Sequence, residues 1–103
     1  MSRRRRSSRP EPRREPRRYE VVLTRAAERG LAGLSKADLR RVDAKIRALA
    51  EDPRPAGAKK LEGVGELYRV RSGDYRILYQ IEDARLVVVV VDVGNRRDIY
   101  RSL

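Results

Sequence analysis

Apolar and polar positions divide the chain into a few readable segments. Residues 1–18 hold no apolar side chain after Met1. Tyr19 to Leu23 is then rich in strand formers, and Thr24 behind it is suited to cap a helix. Ala27, Leu31 and Leu34 recur at helical spacing and predict a short helix, weakened by Gly30 and Gly33. Ser35 followed by Asp38 marks a second helix start. Leu39, Val42, Ile46 and Leu49 form one apolar stripe along that helix. It stops by Asp52-Pro53, because a residue before proline is pushed out of the α region.

Residues 53–66 hold two Pro, three Gly and two Lys, the composition of a surface loop. Three strand-like runs follow: Leu67–Arg71, Tyr75–Ile81 and Leu86–Val93. Their connections, Ser72-Gly73-Asp74 and Glu82–Arg85, are short enough to force antiparallel neighbours. The predicted fold class is therefore α+β, in the order β-α-α-β-β-β. Two N-terminal helices pack on one face of a mainly antiparallel four-stranded sheet. Gly94 allows a sharp exit into a short C-terminal helix or turn. Val87–Val91 is apolar at both parities, so the last strand has no phase in the sequence and reads as an inner strand buried on both faces.

The second and third of these strands are better determined. With Gly73-Asp74 as a type II′ turn, Arg71 faces Arg76, Val70 faces Ile77, Arg69 faces Leu78 and Tyr68 faces Tyr79. Alternation then puts Tyr68, Val70, Tyr75, Ile77, Tyr79 and Ile81 on one side. Arg69, Arg71 and Arg76 fall on the other. Opposed like charges cost roughly 0.2–1 kcal/mol a pair. Such a face implies either a visiting anion or nearby acidic partners, for which Asp74, Asp92 and Asp98 are the candidates.

Charge sharpens this picture. The 103 residues carry a net charge of +11. Residues 1–18 hold nine Arg and two Glu, a net of +7. A segment so charged and so poor in apolar groups is expected to be disordered. It is either an arm that binds nucleic acid or a solvated extension, leaving 19–103 as the domain. With no Cys or His, thiol nucleophiles, imidazole bases, zinc-thiolate sites and Ser-His-Asp triads are excluded. The longest apolar run, Leu86 to Val91, is far too short to span a bilayer. These features predict a cytoplasmic protein, without a membrane anchor, whose partners are polyanions or acidic proteins.

Five stretches, in order, now carry a resemblance: "DPRP", "KKLEG", "LYRVRSGDYRILYQI", the valine strand and "VGNRRDIYR". From Tyr19 to about Arg101 the sequence resembles the RelE/ParE superfamily of bacterial toxins, nearer the RelE branch. The resemblance implies an mRNA interferase that enters the ribosomal A site and cuts mRNA there. A cognate antitoxin would neutralise it in a hetero-oligomer. The implied reaction is attack by a ribose 2′-OH on the adjacent phosphate. Arginine supplies the charge and Tyr or a carboxylate the proton transfer, with no metal and no cofactor.

Carried onto this chain, the resemblance makes Arg76 the residue that stabilises the transition state. Arg69 and Arg71 occupy the places of two basic residues that hold the mRNA backbone or donate a proton. Arginine there grips phosphate but is a poor proton donor. Arg96 matches an arginine at the end of the last strand, and Tyr100 a C-terminal tyrosine acting as base. Lys59 and Lys60 join Arg69 as expected RNA-binding residues. Position 95 is Asn where many relatives have His, and Arg96 and Tyr100 stand closer in sequence than in the founding member.

Two other functions compete. One is a ParE-like inhibitor of DNA gyrase that binds without catalysis. The other is a basic nucleic-acid-binding protein, suggested by the Arg-rich segment. A stacking platform for bases is disfavoured, since Tyr68, Tyr75 and Tyr79 fall opposite the arginines. The antitoxin is expected to lay an acidic helix or strand across the sheet, displacing the C-terminal segment.

Overall fold

The computed structural model describes residues 18–63 and 65–95. The Arg-rich segment up to residue 17 lies outside these, as do Arg96, Tyr100 and the expected C-terminal turn. The elements run β1 (Glu20–Leu23), α1 (Arg25–Ala32), α2 (Lys36–Ala48), β2 (Lys59–Lys60), β3 (Leu67–Ser72), β4 (Tyr75–Glu82) and β5 (Val87–Asn95). A 3-10 turn, Asp83–Arg85, joins β4 to β5. The sheet order is β1-β5-β4-β3-β2. β1 runs parallel to β5 and every other pair is antiparallel.

The class is α+β as expected, but the sheet has five strands rather than four. The addition is β2, in which Lys59 pairs with Arg69 and Lys60 with Tyr68. Two residues leave no alternation for a sequence to display, and partners alone make this a strand. β5 also runs past Val93. Gly94 is not an exit but a strand residue facing Arg76.

Both helices start where their caps predict. Thr24 Oγ1 accepts from Ala27 N–H at 3.1 Å, and Ser35 Oγ accepts from Asp38 N–H at 3.2 Å. Each satisfies a donor that the first helical turn leaves unpaired. Val42, Ile46 and Leu49 of the predicted stripe are buried, whereas Leu39 at its start is exposed. They pack with Ala27 of α1 against Val70, Ile77, Tyr79, Val88, Val90 and Val93 of the sheet.

β5 is inner but not buried on both faces: Val88, Val90 and Val93 are buried, while Val87, Val89 and Val91 are half-buried. The parity changes at a β-bulge. Leu78 faces Asp92 but Tyr79 faces Val90, so Val91 is the extra residue. Thr24 holds this bulge by donating from Oγ1 to the Val91 carbonyl at 2.5 Å and from its backbone N–H to Val90 at 3.0 Å.

Tyr79 is fully buried and donates its hydroxyl to the Pro53 carbonyl at 2.8 Å. Burial pushes this phenol up to about 12. The native state therefore holds the proton more tightly than the unfolded chain, whose tyrosines titrate near 10. That stabilisation is complete below pH 10 and is lost as pH climbs towards 12, on the order of 2 kcal/mol over the window. Urea midpoints should accordingly fall more steeply with alkaline pH in the wild type than in Tyr79→Phe. Parallel curves would rule out a selective burial of this hydroxyl.

Candidate active site

The turn between β3 and β4 is built as its composition requires. Gly73 has φ +61, in the left-handed region, and Asp74 does not share it. That is the type II′ geometry that suits tight hairpins. Arg71 consequently faces Arg76, Arg69 faces Leu78 and Tyr68 faces Tyr79. The three arginines lie on the sheet face away from the helices, and Lys59 joins them by pairing with Arg69. Arg71 and Arg76 both line a small recess of about 20 Å³ at the turn.

Arg69 is 8 % exposed, and its Nε meets no acceptor among the described residues. No described ion pair engages Arg69 or Arg71. A buried guanidinium that keeps its charge without a carboxylate is expensive, unless an anion arrives to use it. In such a low-dielectric setting, a fork of N–H donors acts on phosphate more strongly than in water.

The bulge in β5 adds a group to this face. Strict alternation from Val88 and Val90 would send Asp92 into the helix-side core. The extra residue turns it instead to the arginine side, opposite Leu78, where it is 8 % exposed and its Oδ1 accepts from Val93 N–H at 2.8 Å. Nothing in a run of valines announces this change of phase.

Not every expected residue gathers here. Lys60 alternates to the other side of β2 and pairs with Glu66 at 3.4 Å. Arg96 and Tyr100 lie outside the described residues. Of the described tyrosines, Tyr68, Tyr75 and Tyr79 offer no base to the arginine face, and Tyr19 donates its hydroxyl to Asp83. Tyr75 donates to Asp38 at 3.1 Å, and that hydrogen bond raises its pKa above the usual value. Tyr79 is locked protonated in the core, and Tyr68 stacks on it with ring centroids 5.8 Å apart.

The arginine of "DPRP" is structural. Arg54 forks onto Asp83 at 3.2 and 2.9 Å, lies over the Tyr68 ring and so ties the loop after α2 to the turn before β5. Among the described residues no group of three or more acidic side chains is placed to hold a metal ion. No described helix is long and apolar enough to cross a membrane.

A family model for the ParE toxin of type II toxin-antitoxin systems matches residues 21–100. Toxin RelG of Mycobacterium tuberculosis is 33 % identical over 84 residues, 81 % of this chain and 97 % of that protein. The mRNA interferase toxin RelE of Escherichia coli K12 is 41 % identical over 54 residues, 50 % of this chain and 56 % of that one. Among solved structures, the RelBE2 toxin-antitoxin complex of M. tuberculosis contains a chain superposing with TM-score 0.70 at 31 % identity, covering 79 % of this chain and 94 % of that one. The archaeal RelE-RelB complex of Pyrococcus horikoshii gives 0.67 at 32 %, covering 76 % and 94 %.

Proposed function

Because the chain belongs to the RelE/ParE family of type II toxin-antitoxin toxins, on its RelE-like branch, we propose that it is a metal-independent endoribonuclease cutting mRNA in the ribosomal A site. The observation that carries this reading is the arginine face. Arg71 and Arg76 are opposed across a tight hairpin, beside a buried Arg69 whose Nε has no acceptor among the described residues. Opposed like charges cost stability, and although Asp92 lies on the same face, a phosphodiester bound between the two arginines would offset that cost.

In the proposed reaction, a ribose 2′-OH loses its proton and attacks the adjacent phosphorus. The Arg76 guanidinium hydrogen-bonds to the phosphorane oxygens and stabilises their extra negative charge while the bond to the 5′-oxygen breaks. The base hands the proton taken from the 2′-OH to the departing 5′-oxygen, so the products are a 2′,3′-cyclic phosphate and a free 5′-OH. Arg69, Arg71 and Lys59 hold the neighbouring backbone, so the attacking oxygen stays in line with its leaving group. Arg96 and Tyr100 remain the expected second cation and base. The name of the E. coli relative, mRNA interferase, supports the reaction class. Relatives solved as RelE-RelB complexes support an antitoxin partner for this chain, and its proposed seat is the charged face, where an acidic segment would meet the arginines.

The test is a map of mRNA 5′ ends in a purified bacterial translation reaction. New ends inside A-site codons are expected, and none on the same mRNA without ribosomes. Intact mRNA with undisturbed translation would overturn the proposal. Gyrase supercoiling would then be assayed next, because the matching family model is that of ParE toxins.

A further inference from the structure

The arginine face does not end at the edge of the sheet. β2 pairs only as far as Arg69, so among the described residues no strand pairs with the outer edge of β3 beyond it. There two depressions open side by side. One, of about 280 Å³, is lined by Lys45, Lys59, Arg69 and Arg71 over a floor that includes Ala56 and Gly57. The other, of about 490 Å³, lies between α2 and the end of β3 and is lined by Arg41, Lys45 and Arg71 with Ala44 and Ala48. They share Lys45 and Arg71, and Arg71 also lines the recess beside Arg76.

Among the described residues, no carboxylate lines either depression. The only described acidic partner of these cations is Asp38, 3.7 Å from Arg41, one turn away on the same helix. Arg41, Ala44, Lys45 and Ala48 stand on one stripe of α2, with basic groups flanking small ones. Small side chains leave room for a backbone to approach, and the cations supply its counter-charge. The buried Arg69, with Nε unpartnered among the described residues, gives the groove a donor already desolvated.

We propose that this groove is an extended substrate path. The RNA strand whose scissile phosphate sits at Arg76 passes over Arg71, rounds the edge of β3 and places a flanking phosphate against Lys45 of α2. This rests on the nuclease reading above and extends it to a residue outside the catalytic face. Continuity through Arg71 favours the substrate strand over a separate ligand, because one side chain belongs to both sites.

The test is binding of the full chain to 2′-O-methyl RNA, which resists cleavage, at lengths of about 5 and about 12 nucleotides. Lys45→Ala should weaken the longer strand roughly three- to ten-fold. Its slope of log affinity against log salt should drop by about 0.7, the value for one phosphate contact on a single strand. The shorter strand should be unaffected, and Arg40→Ala, an equal loss of charge elsewhere on α2, should change neither. An unchanged 12-mer affinity and slope overturns the path, and so does an equal loss at both lengths. A Lys45→Ala defect seen only on programmed ribosomes would assign the groove to ribosomal RNA, and that also overturns it. Normal A-site cleavage alongside any of these results would leave the nuclease reading standing while the path fails.

Discussion

Arg76→Ala should lower single-turnover cleavage of mRNA on programmed ribosomes by roughly 10²–10³-fold, the cost of removing one preorganised donor from a developing oxyanion. Arg76 is held by β4 between Arg71 on β3 and Gly94 on β5, so its backbone is fixed on both sides. Arg76→Lys keeps the charge but loses the planar fork, and should recover only part of the rate. Arg71→Ala provides the contrast. It removes one of two opposed cations and should leave the melting temperature unchanged or slightly higher, while weakening mRNA binding. A variant at Arg76 that cleaves at the wild-type rate would remove this residue from the chemistry. Loss of rate with a matching loss of folded protein would show only instability, so thermal melts belong beside the kinetics.

The register behind that prediction was legible because several local signals agreed. Gly73 at a turn position that needs positive φ, alternating tyrosines and valines, and arginines at the opposite parity leave one consistent pairing, and it is the observed one. The two caps were legible for the same reason: Thr24 and Ser35 stand directly before apolar stripes. What the sequence hid depended on partners distant along the chain. β2 is a strand only because β3 lies beside it. Lys45 reads as one more solvated lysine on a helix until the loop at Ala56 and Gly57 and the edge of β3 enclose it. Asp92 changes face through a bulge in a run of valines, where either phase is equally apolar. Arg54 looked like part of a family motif, and only the fold reveals its fork on Asp83.

The same logic gives the second large effect, a pair of glycine substitutions three residues apart with opposite signs. Both glycines read as flaws in α1, but Gly33 is the C-cap that follows the helix, and only there does an alanine fit freely. At Gly33 φ is −85, and a Cβ would meet nothing nearer than 3.9 Å. Gly33→Ala should therefore stabilise the protein by about 0.4–1 kcal/mol, by restricting the unfolded chain. At Gly30 a Cβ would stand 3.1 Å from the Val93 carbonyl carbon and closer still to its oxygen. Backbone cannot swing aside as a side-chain tip can, so α1 would have to lift from β5. The gain of about 1 kcal/mol in helix propensity is then outweighed by an overpacking cost of about 3 kcal/mol or more. Gly30→Ala should lose about 2 kcal/mol net, read as a lower urea midpoint at constant m. The disturbance would also reach the site, since Val93 follows Asp92 at the bulge that Thr24 pins. Surviving folded Gly30→Ala should thus cleave more slowly than its folded fraction accounts for, whereas Gly33→Ala should cleave normally. Equal stability of Gly30→Ala and wild type would mean that α1 does not sit this close to β5, and that Asp92 owes its place to something other than that contact.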